Sequence, residues 1–213
     1  MKKMIINYAM NLIEKNGNYD EEKLSIIKYG LEGLYLTITK LIIIFLLAYL
    51  LNIFKEMIIF LLIYNIIRAT SFGLHATKSW ICLITSTLIF IGFPITCKYV
   101  YLTKYFKVAL GLILILFIYK NSPADTHKRP IINKNRRLFF KYISTFIAII
   151  FIYISILIND NFISNCLIFS LFVQSFMIAP SVYKLFNLPY NNYLTYLVNN
   201  DIWIYNVYLD INE

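Results

Sequence analysis

Long apolar runs separated by short polar stretches dominate the chain, and the length of each run predicts how it meets a lipid bilayer. A helix needs about 20 apolar residues to cross the hydrocarbon core, and three runs reach that length. They are 34–54, 138–158 and 162–182. A fourth run, 80–97, is nearly as long, whereas 57–67 and 106–119 must recruit flanking residues, thin the bilayer locally or lie half-buried. The pattern therefore predicts an all-α polytopic membrane protein with about six transmembrane or partly membrane-embedded helices.

The two ends of the chain have a different character, because polar side chains interrupt their apolar positions. Residues 1–16 are broken too soon for a secretory signal, so we expect a retained amphipathic helix at the membrane interface. A second interfacial helix is expected over 21–32, after the turn NGNYD. The last 24 residues are rich in Tyr and Asn, and an amphipathic segment or a frayed end fits them equally well. We therefore predict one membrane domain, 1–189, followed by a tail without a predicted structure, 190–213.

Composition and charge indicate a membrane protein and do not require a nucleic-acid partner. The chain is 60% hydrophobic and 15% charged, with a mean hydropathy of +0.67, which is too apolar for one soluble domain. Lysine and arginine near short loops are retained on the cytoplasmic side, and 15 of the 20 fall on one side when the N-terminus is placed inside. We therefore expect both termini in the cytoplasm. The net charge of +9 then reflects topology and contact with anionic membrane lipids, and no nucleic acid is needed to explain it.

Ionisable side chains gather between two apolar runs in the stretch RATSFGLHATKSWIC, residues 68–82. His75 and Cys82 are seven residues apart, which on one unbroken helix separates them by about 10 Å along the axis. Proton transfer between a thiol and an imidazole requires about 3 Å, so a continuous helix would exclude a catalytic pair. A catalytic interpretation therefore requires a backbone that is non-helical between Gly73 and about Thr77.

Gly73 supplies a position at which such a break is expected. Thr77 or Ser79 can cap a new helix, so that Cys82 lies near a helix N-terminus, where backbone N–H groups and the helix dipole favour a thiolate. His75, on the loop before it, can then serve as the base for this nucleophile. The alternative is structural: a buried thiol packs as a small hydrophobic group, and a histidine at a membrane edge forms ordinary hydrogen bonds.

The sequence contains no motif for metal-dependent, serine-dependent or nucleotide-dependent catalysis. The HExxH zinc signature, the GxSxG elbow and the GK[ST] phosphate loop are all absent from the sequence. With only two histidines, far apart, no metal site is expected, and no cofactor is expected either. Three cysteines in apolar segments do not indicate a disulfide framework, so Cys97 and Cys166 are expected to pack in the core.

The chain carries three blocks that also occur, in the same order, in one known family. They are YGLE at 29–32, RATSFGLHATKSWIC at 68–82 and SPADTHKRPI at 122–131. Together they resemble the accessory gene regulator B (AgrB) family of quorum-sensing membrane endopeptidases, and chain length and span number match as well. The resemblance covers roughly residues 1–188. One position departs from it, because Leu74 stands where family members often carry a second glycine.

The resemblance implies a function and a set of site residues. It implies a cysteine endopeptidase that cleaves the C-terminal tail from a small AgrD-type precursor peptide through an acyl-thioester, leading to a cyclic thiolactone or lactone signal. Cys82 would be the nucleophile and His75 the general base. Arg68 and Gly73 match positions that the family needs for activity. The resemblance also implies a bacterial cell membrane and a homodimer, while the distribution of Lys and Arg predicts that the stretch 68–82 faces the cytoplasm.

Substrate recognition is expected to involve charged residues. Family precursors carry an acidic tail, which the basic loop at 120–141 can attract, although topology alone explains the same charge. The candidate substrate-binding residues are Lys128, Arg129 and Glu32. Glu32 and Asp125 are also candidates for a third catalytic member, or else surface and loop-ordering carboxylates. His127 is expected to belong to the basic loop and to play no catalytic part.

Two other functional classes stay open at this point. A small peptide transporter or exporter without proteolytic activity would use Arg68 and His75 to bind its cargo, while Cys82 merely packs. Neither an inverted repeat nor a pair of discontinuous helices is visible in support of it. A membrane scaffold would use none of these groups chemically.

Overall fold

The computed structural model describes residues 2–17, 19–74, 79–126 and 130–194. Within these ranges every regular element is a helix, which confirms the predicted all-α class. The chain divides into two compact units, Met1–Phe54 and Lys55–Glu213, and each is described by itself.

The described residues of the first unit form α1 (Lys2–Asn16) and α2 (Glu21–Leu50). The predicted interfacial helix over 21–32 and the following apolar run are one continuous helix of 30 residues. Its C-terminus is a Schellman motif: Asn52 has a φ of 54°, the Ile53 N–H donates to Ala48 O at 3.0 Å, and the Asn52 N–H donates to Tyr49 O at 3.1 Å. The helix therefore ends four residues before the apolar run does.

The second unit contains the remaining helices and one π-helical turn. They are α3 (Phe54–Ser71), α4 (Ser79–Thr87), the π turn (Leu88–Gly92), α5 (Phe93–Tyr99), α6 (Lys104–Asn121), α7 (Lys134–Leu157), α8 (Asn161–Met177) and α9 (Pro180–Leu185). The π turn ends two residues before Pro94, which has no N–H to donate to the Phe90 carbonyl, so the regular pattern of helical hydrogen bonds is interrupted there.

Helix lengths refine the predicted spans. Among the described residues, three helices are long and apolar enough to cross a membrane: Lys23–Leu50, Trp80–Tyr99 and Lys134–Leu157. The two short apolar runs, 57–67 and 106–119, lie within longer helices that include polar flanking residues. These helices, α3 and α6, each have 18 residues and are about 27 Å long. The run 162–182 is divided, since α8 ends at Met177 and Pro180 begins a new helix.

Helix α8 lies at the centre of the second unit and packs against α5, α6 and α7. Ten of its 17 residues are buried, and several of them are polar. Gly111 on α6 permits a close approach to α7, because a Cβ at this position would lie 2.7 Å from Ile152 Cδ1. Cys97 and Cys166 are both buried in this core, as expected for packing residues.

Candidate functional site

The chain leaves the helix where the sequence predicts it. Helix α3 ends at Ser71, and the next two residues have positive φ angles, 57° for Phe72 and 113° for Gly73. A Cβ on Gly73 would lie 2.7 Å from Arg68 Nη1 and 2.8 Å from Met177 O, so this turn requires glycine for both conformation and space. The predicted break is therefore confirmed at 72–74, while residues 75–77, which complete the predicted non-helical stretch, lie outside the described residues. We call Phe72, Gly73 and Leu74 the glycine turn.

Arg68 holds the glycine turn from the last helical turn of α3. Its Nη1 donates to Phe72 O at 2.8 Å, while its Nη2 donates to Leu74 O at 2.7 Å and to Gly73 O at 3.4 Å. The planar guanidinium spans three successive carbonyl groups, which the single ammonium of a lysine is poorly shaped to do. Arg68 therefore fixes the backbone that leads towards position 75.

Two distant segments complete the support of the glycine turn. The Gly73 N–H donates to Ala124 O at 2.8 Å and the Ala124 N–H donates to Ser71 O at 3.1 Å, forming a parallel bridge to the proline-containing loop. The Leu74 N–H donates to Met177 O at 3.0 Å, at the end of α8. The glycine turn thus joins the ends of α3, α6 and α8.

Gln174 is a supporting residue that sequence reasoning missed. It is fully buried on α8, and its Nε2 donates to Phe72 O at 2.7 Å, so that carbonyl accepts from both Gln174 and Arg68. The local signal was a carboxamide inside a predominantly apolar run, a signal that Asn165 shares, and polar groups inside membrane segments are functional candidates.

Cys82 lies in the first turn of α4, as the fourth residue of that helix. It is half-buried, and the three cysteines, all of which the structure describes, form no disulfide. The hydroxyl of Thr85 donates to the backbone oxygens of Ile81 and Cys82, at 2.8 and 3.2 Å. His75 and Thr77 lie outside the described residues, so the distance from His75 to Cys82 stays a prediction.

Asp125 is buried, and its carboxylate orders the loop in which it lies. Oδ1 accepts from the Asn192 N–H at 3.1 Å, and Oδ2 accepts from the Tyr193 N–H at 2.9 Å. Oδ2 also lies 3.7 Å from Nη1 of Arg137, whose guanidinium stacks on the Tyr193 ring. We call this arrangement the Asp125 clamp. These contacts support the loop-ordering role for Asp125 over the catalytic one.

Two tyrosines extend the Asp125 clamp. Tyr183 Oη donates to the backbone oxygen of Asp125 at 3.2 Å, and Tyr190 Oη donates to Asn121 O at 3.4 Å. Burial raises the pKa of both phenols, so they remain neutral hydrogen-bond donors well above neutral pH. The segment after α9 is therefore tied to the loop that follows α6.

The placement of the other candidate residues at the site stays a prediction. Lys128, Arg129 and His127 lie outside the described residues. Glu32 is half-buried on α2, in the first unit. Among the described residues there is no group of three His, Cys, Asp or Glu side chains that could hold a metal ion.

Replacement of Arg68 by lysine is expected to loosen the glycine turn while keeping the charge. A lysine cannot reproduce three donor contacts, and each lost charge-assisted bond contributes about 1.5–3 kcal/mol. Hydrogen exchange followed by mass spectrometry should show the Gly73 and Leu74 amides exchanging at least about tenfold faster. Arg136→Lys is the matched control, because Arg136 is exposed and faces the Phe140 ring instead. Unchanged exchange in Arg68→Lys would contradict the assigned role.

Comparison with known proteins gives a consistent set of similarities. Residues 6–178 match the family described as Accessory gene regulator B. A putative AgrB-like protein of Clostridium acetobutylicum is 30% identical over 167 residues, covering 78% of this chain and 80% of that protein. The accessory gene regulator protein B of Staphylococcus aureus strain MRSA252 is 32% identical over 152 residues, covering 70% and 81% respectively. No solved structure gives a significant match.

Proposed function

Because the chain belongs to the accessory gene regulator B family and acts in the agr quorum-sensing system, we propose that it is a membrane-embedded cysteine endopeptidase. Its substrate is a small AgrD-type precursor peptide, from which it removes the C-terminal tail. Cys82 is the nucleophile and His75 is the general base. The observation that carries this proposal is the helix break between α3 and α4, with Cys82 in the first turn of the new helix.

The position of Cys82 suits a nucleophile. The first four N–H groups of a helix have no partner within it, and the dipole is positive at this end, so negative charge on a nearby sulfur is stabilised. Cys82 is also only half-buried, so part of the residue is accessible to a substrate. The glycine turn ends at the residue before His75 and is held by several hydrogen bonds. It can therefore fix the point from which the His75 side chain extends towards Cys82.

The proposed reaction has two acyl-transfer steps. His75 takes the proton of the Cys82 thiol, and the thiolate attacks the peptide carbonyl before the tail. The C–N bond breaks, the tail amine leaves with the proton from His75, and the remaining peptide is held as a thioester on Cys82. A cysteine or serine side chain of the peptide then loses its proton to His75 and attacks this thioester. The ring closes, and the Cys82 thiol is regenerated. A site that limits water favours ring closure over hydrolysis.

Charge complementarity supports the choice of substrate. The loop that contains Lys128 and Arg129 is strongly basic, and an acidic precursor tail would be attracted to it. We propose these two residues, together with Glu32, as precursor contacts. The proposed topology has six crossings, with both termini and the site on the cytoplasmic face of the bacterial cell membrane, and the proposed assembly is a homodimer.

The test is to trap the acyl-enzyme. The purified chain in proteoliposomes is incubated with an AgrD-type precursor whose ring-forming cysteine or serine is replaced by alanine, so that the second step cannot occur. We expect free tail peptide and a mass increase on the tryptic fragment that contains Cys82, reversed by hydroxylamine. Precursor that crosses the membrane uncut, with no adduct on Cys82, would overturn the proposal and favour the exporter.

A further inference from the structure

A lysine ammonium is buried at the end of the second unit that lies opposite the glycine turn. Lys107, in the first turns of α6, is 3% exposed, and its Nζ donates to Ser164 Oγ on α8 at 2.7 Å. The Ser164 hydroxyl donates in turn to the backbone oxygen of Ser155 on α7. Within the described part of the chain, Ser164 Oγ is the only protein acceptor given for Nζ, and no carboxylate lies within 4.0 Å of it.

A cavity of about 250 Å³ adjoins this ammonium. Lys107 and Lys104 both line it, together with the polar side chains of Asn159, Asn161 and Ser155. None of the described residues that line the cavity is an Asp or Glu. An ammonium that is buried without an anion is costly, and a second lysine beside it adds repulsion. The side chains that line the cavity therefore favour an anionic ligand with several oxygen acceptors.

Exposed tyrosines at the same end of the helices indicate the depth of this cavity. Tyr99, Tyr101 and Tyr105 are 78%, 72% and 89% exposed, and Tyr101 also lines the cavity. Tyrosine is enriched where the bilayer meets water, at the level of the lipid headgroups. Phosphate groups of phospholipids are the abundant anionic oxygen groups at this depth.

We propose that this cavity binds the phosphodiester group of an anionic phospholipid, with Lys107 as its main charge contact and Lys104 as a secondary one. The lipid would neutralise the buried ammonium and stabilise the ends of α6, α7 and α8 against each other. An anionic headgroup is preferred over a zwitterionic one, because a choline cation would approach Lys104. This site is separate from the proposed peptidase site, which lies at the opposite ends of α6 and α8.

The experiment measures thermal unfolding of the full chain in a neutral detergent, titrated with phosphatidylglycerol, phosphatidylcholine or inorganic phosphate. A ligand that binds only the folded state raises Tm in a concentration-dependent way. We expect phosphatidylglycerol to raise Tm at concentrations at which phosphatidylcholine and inorganic phosphate have little effect. An equal rise with inorganic phosphate would assign the site to free phosphate and overturn the lipid assignment.

Substitutions of single lysines test whether phosphatidylglycerol acts at the proposed cavity. Lys107→Met should weaken the apparent affinity for phosphatidylglycerol at least about tenfold, because the main charge contact is lost. Lys55→Met is the matched control, since Lys55 is exposed near the same end of the helices, and it should keep the wild-type response. If Lys107→Met does not fold, Lys104→Met replaces an exposed cavity residue and should give a smaller weakening. A wild-type response in folded Lys107→Met, or in Lys104→Met where Lys107→Met does not fold, would overturn the proposal.

Discussion

Replacement of Cys82 by alanine is expected to abolish release of the tail from an AgrD-type precursor. The variant has no thiolate to form the thioester, and removal of a catalytic nucleophile reduces turnover by about 10³-fold or more. The measurement is the amount of free tail peptide, quantified by mass spectrometry after incubation with proteoliposomes. His75→Ala should give a comparable loss, because the thiol then lacks its base.

The other two cysteines provide the controls for this experiment. Cys97 and Cys166 are 1% and 0% exposed and lie in the core formed around α8. Cys97→Ala and Cys166→Ala are expected to lower the thermal stability, because each leaves a small cavity, yet to release the tail at the rate of the wild type. Tail release that survives in Cys82→Ala would end the peptidase interpretation.

Replacement of Gly73 by alanine is expected to reduce tail release strongly, although less than Cys82→Ala does. Both proposed catalytic side chains are still present in this variant. The methyl group would meet Arg68 Nη1 at 2.7 Å and the backbone oxygen of Met177 at 2.8 Å, and a φ of 113° is unfavourable for any residue with a Cβ. The backbone that leads to His75 must therefore shift, and misplacement by about 1 Å can cost about 10²-fold in rate. We expect a loss of tail release of at least about that size.

The matched control for Gly73→Ala is Gly92→Ala, because a Cβ on Gly92 would meet nothing within 4 Å. This control should keep both Tm and tail release close to those of the wild type. Circular dichroism and gel filtration on both variants would separate a local change in the glycine turn from general unfolding. Normal tail release by Gly73→Ala would show that the conformation of this turn is not needed for the reaction.

Local patterns in the sequence predicted the class of the fold and the break at the site. Apolar run lengths identified the helices, and Gly73 marked the end of α3 because few other residues tolerate its φ angle. The helix boundaries in the structure differ from the predicted ones where glycine or proline occurs, because either residue can end a helix or be accommodated within one. Gly30 and Gly33 lie within α2 without ending it, while Pro180 divided an apolar run that looked continuous.

The support of the site could not be predicted, because it depends on contacts between residues far apart in the chain. Gln174 donates to the carbonyl of a residue 102 positions away, and Ala124 forms a bridge with Phe72. No spacing rule relates such positions in a single sequence. Arg68 was identified through the family resemblance, whereas its three carbonyl partners became apparent only from the structure.

The Asp125 clamp has a practical consequence for protein production. Asn192 and Tyr193 supply the two backbone donors to a carboxylate that is 3% exposed as a residue. A fusion partner joined directly after residue 189 would remove both donors, and of the described contacts of the carboxylate it would leave Arg137 Nη1 at 3.7 Å. A junction placed after Leu194 keeps every described contact of the carboxylate, and is therefore the better point at which to attach an affinity tag.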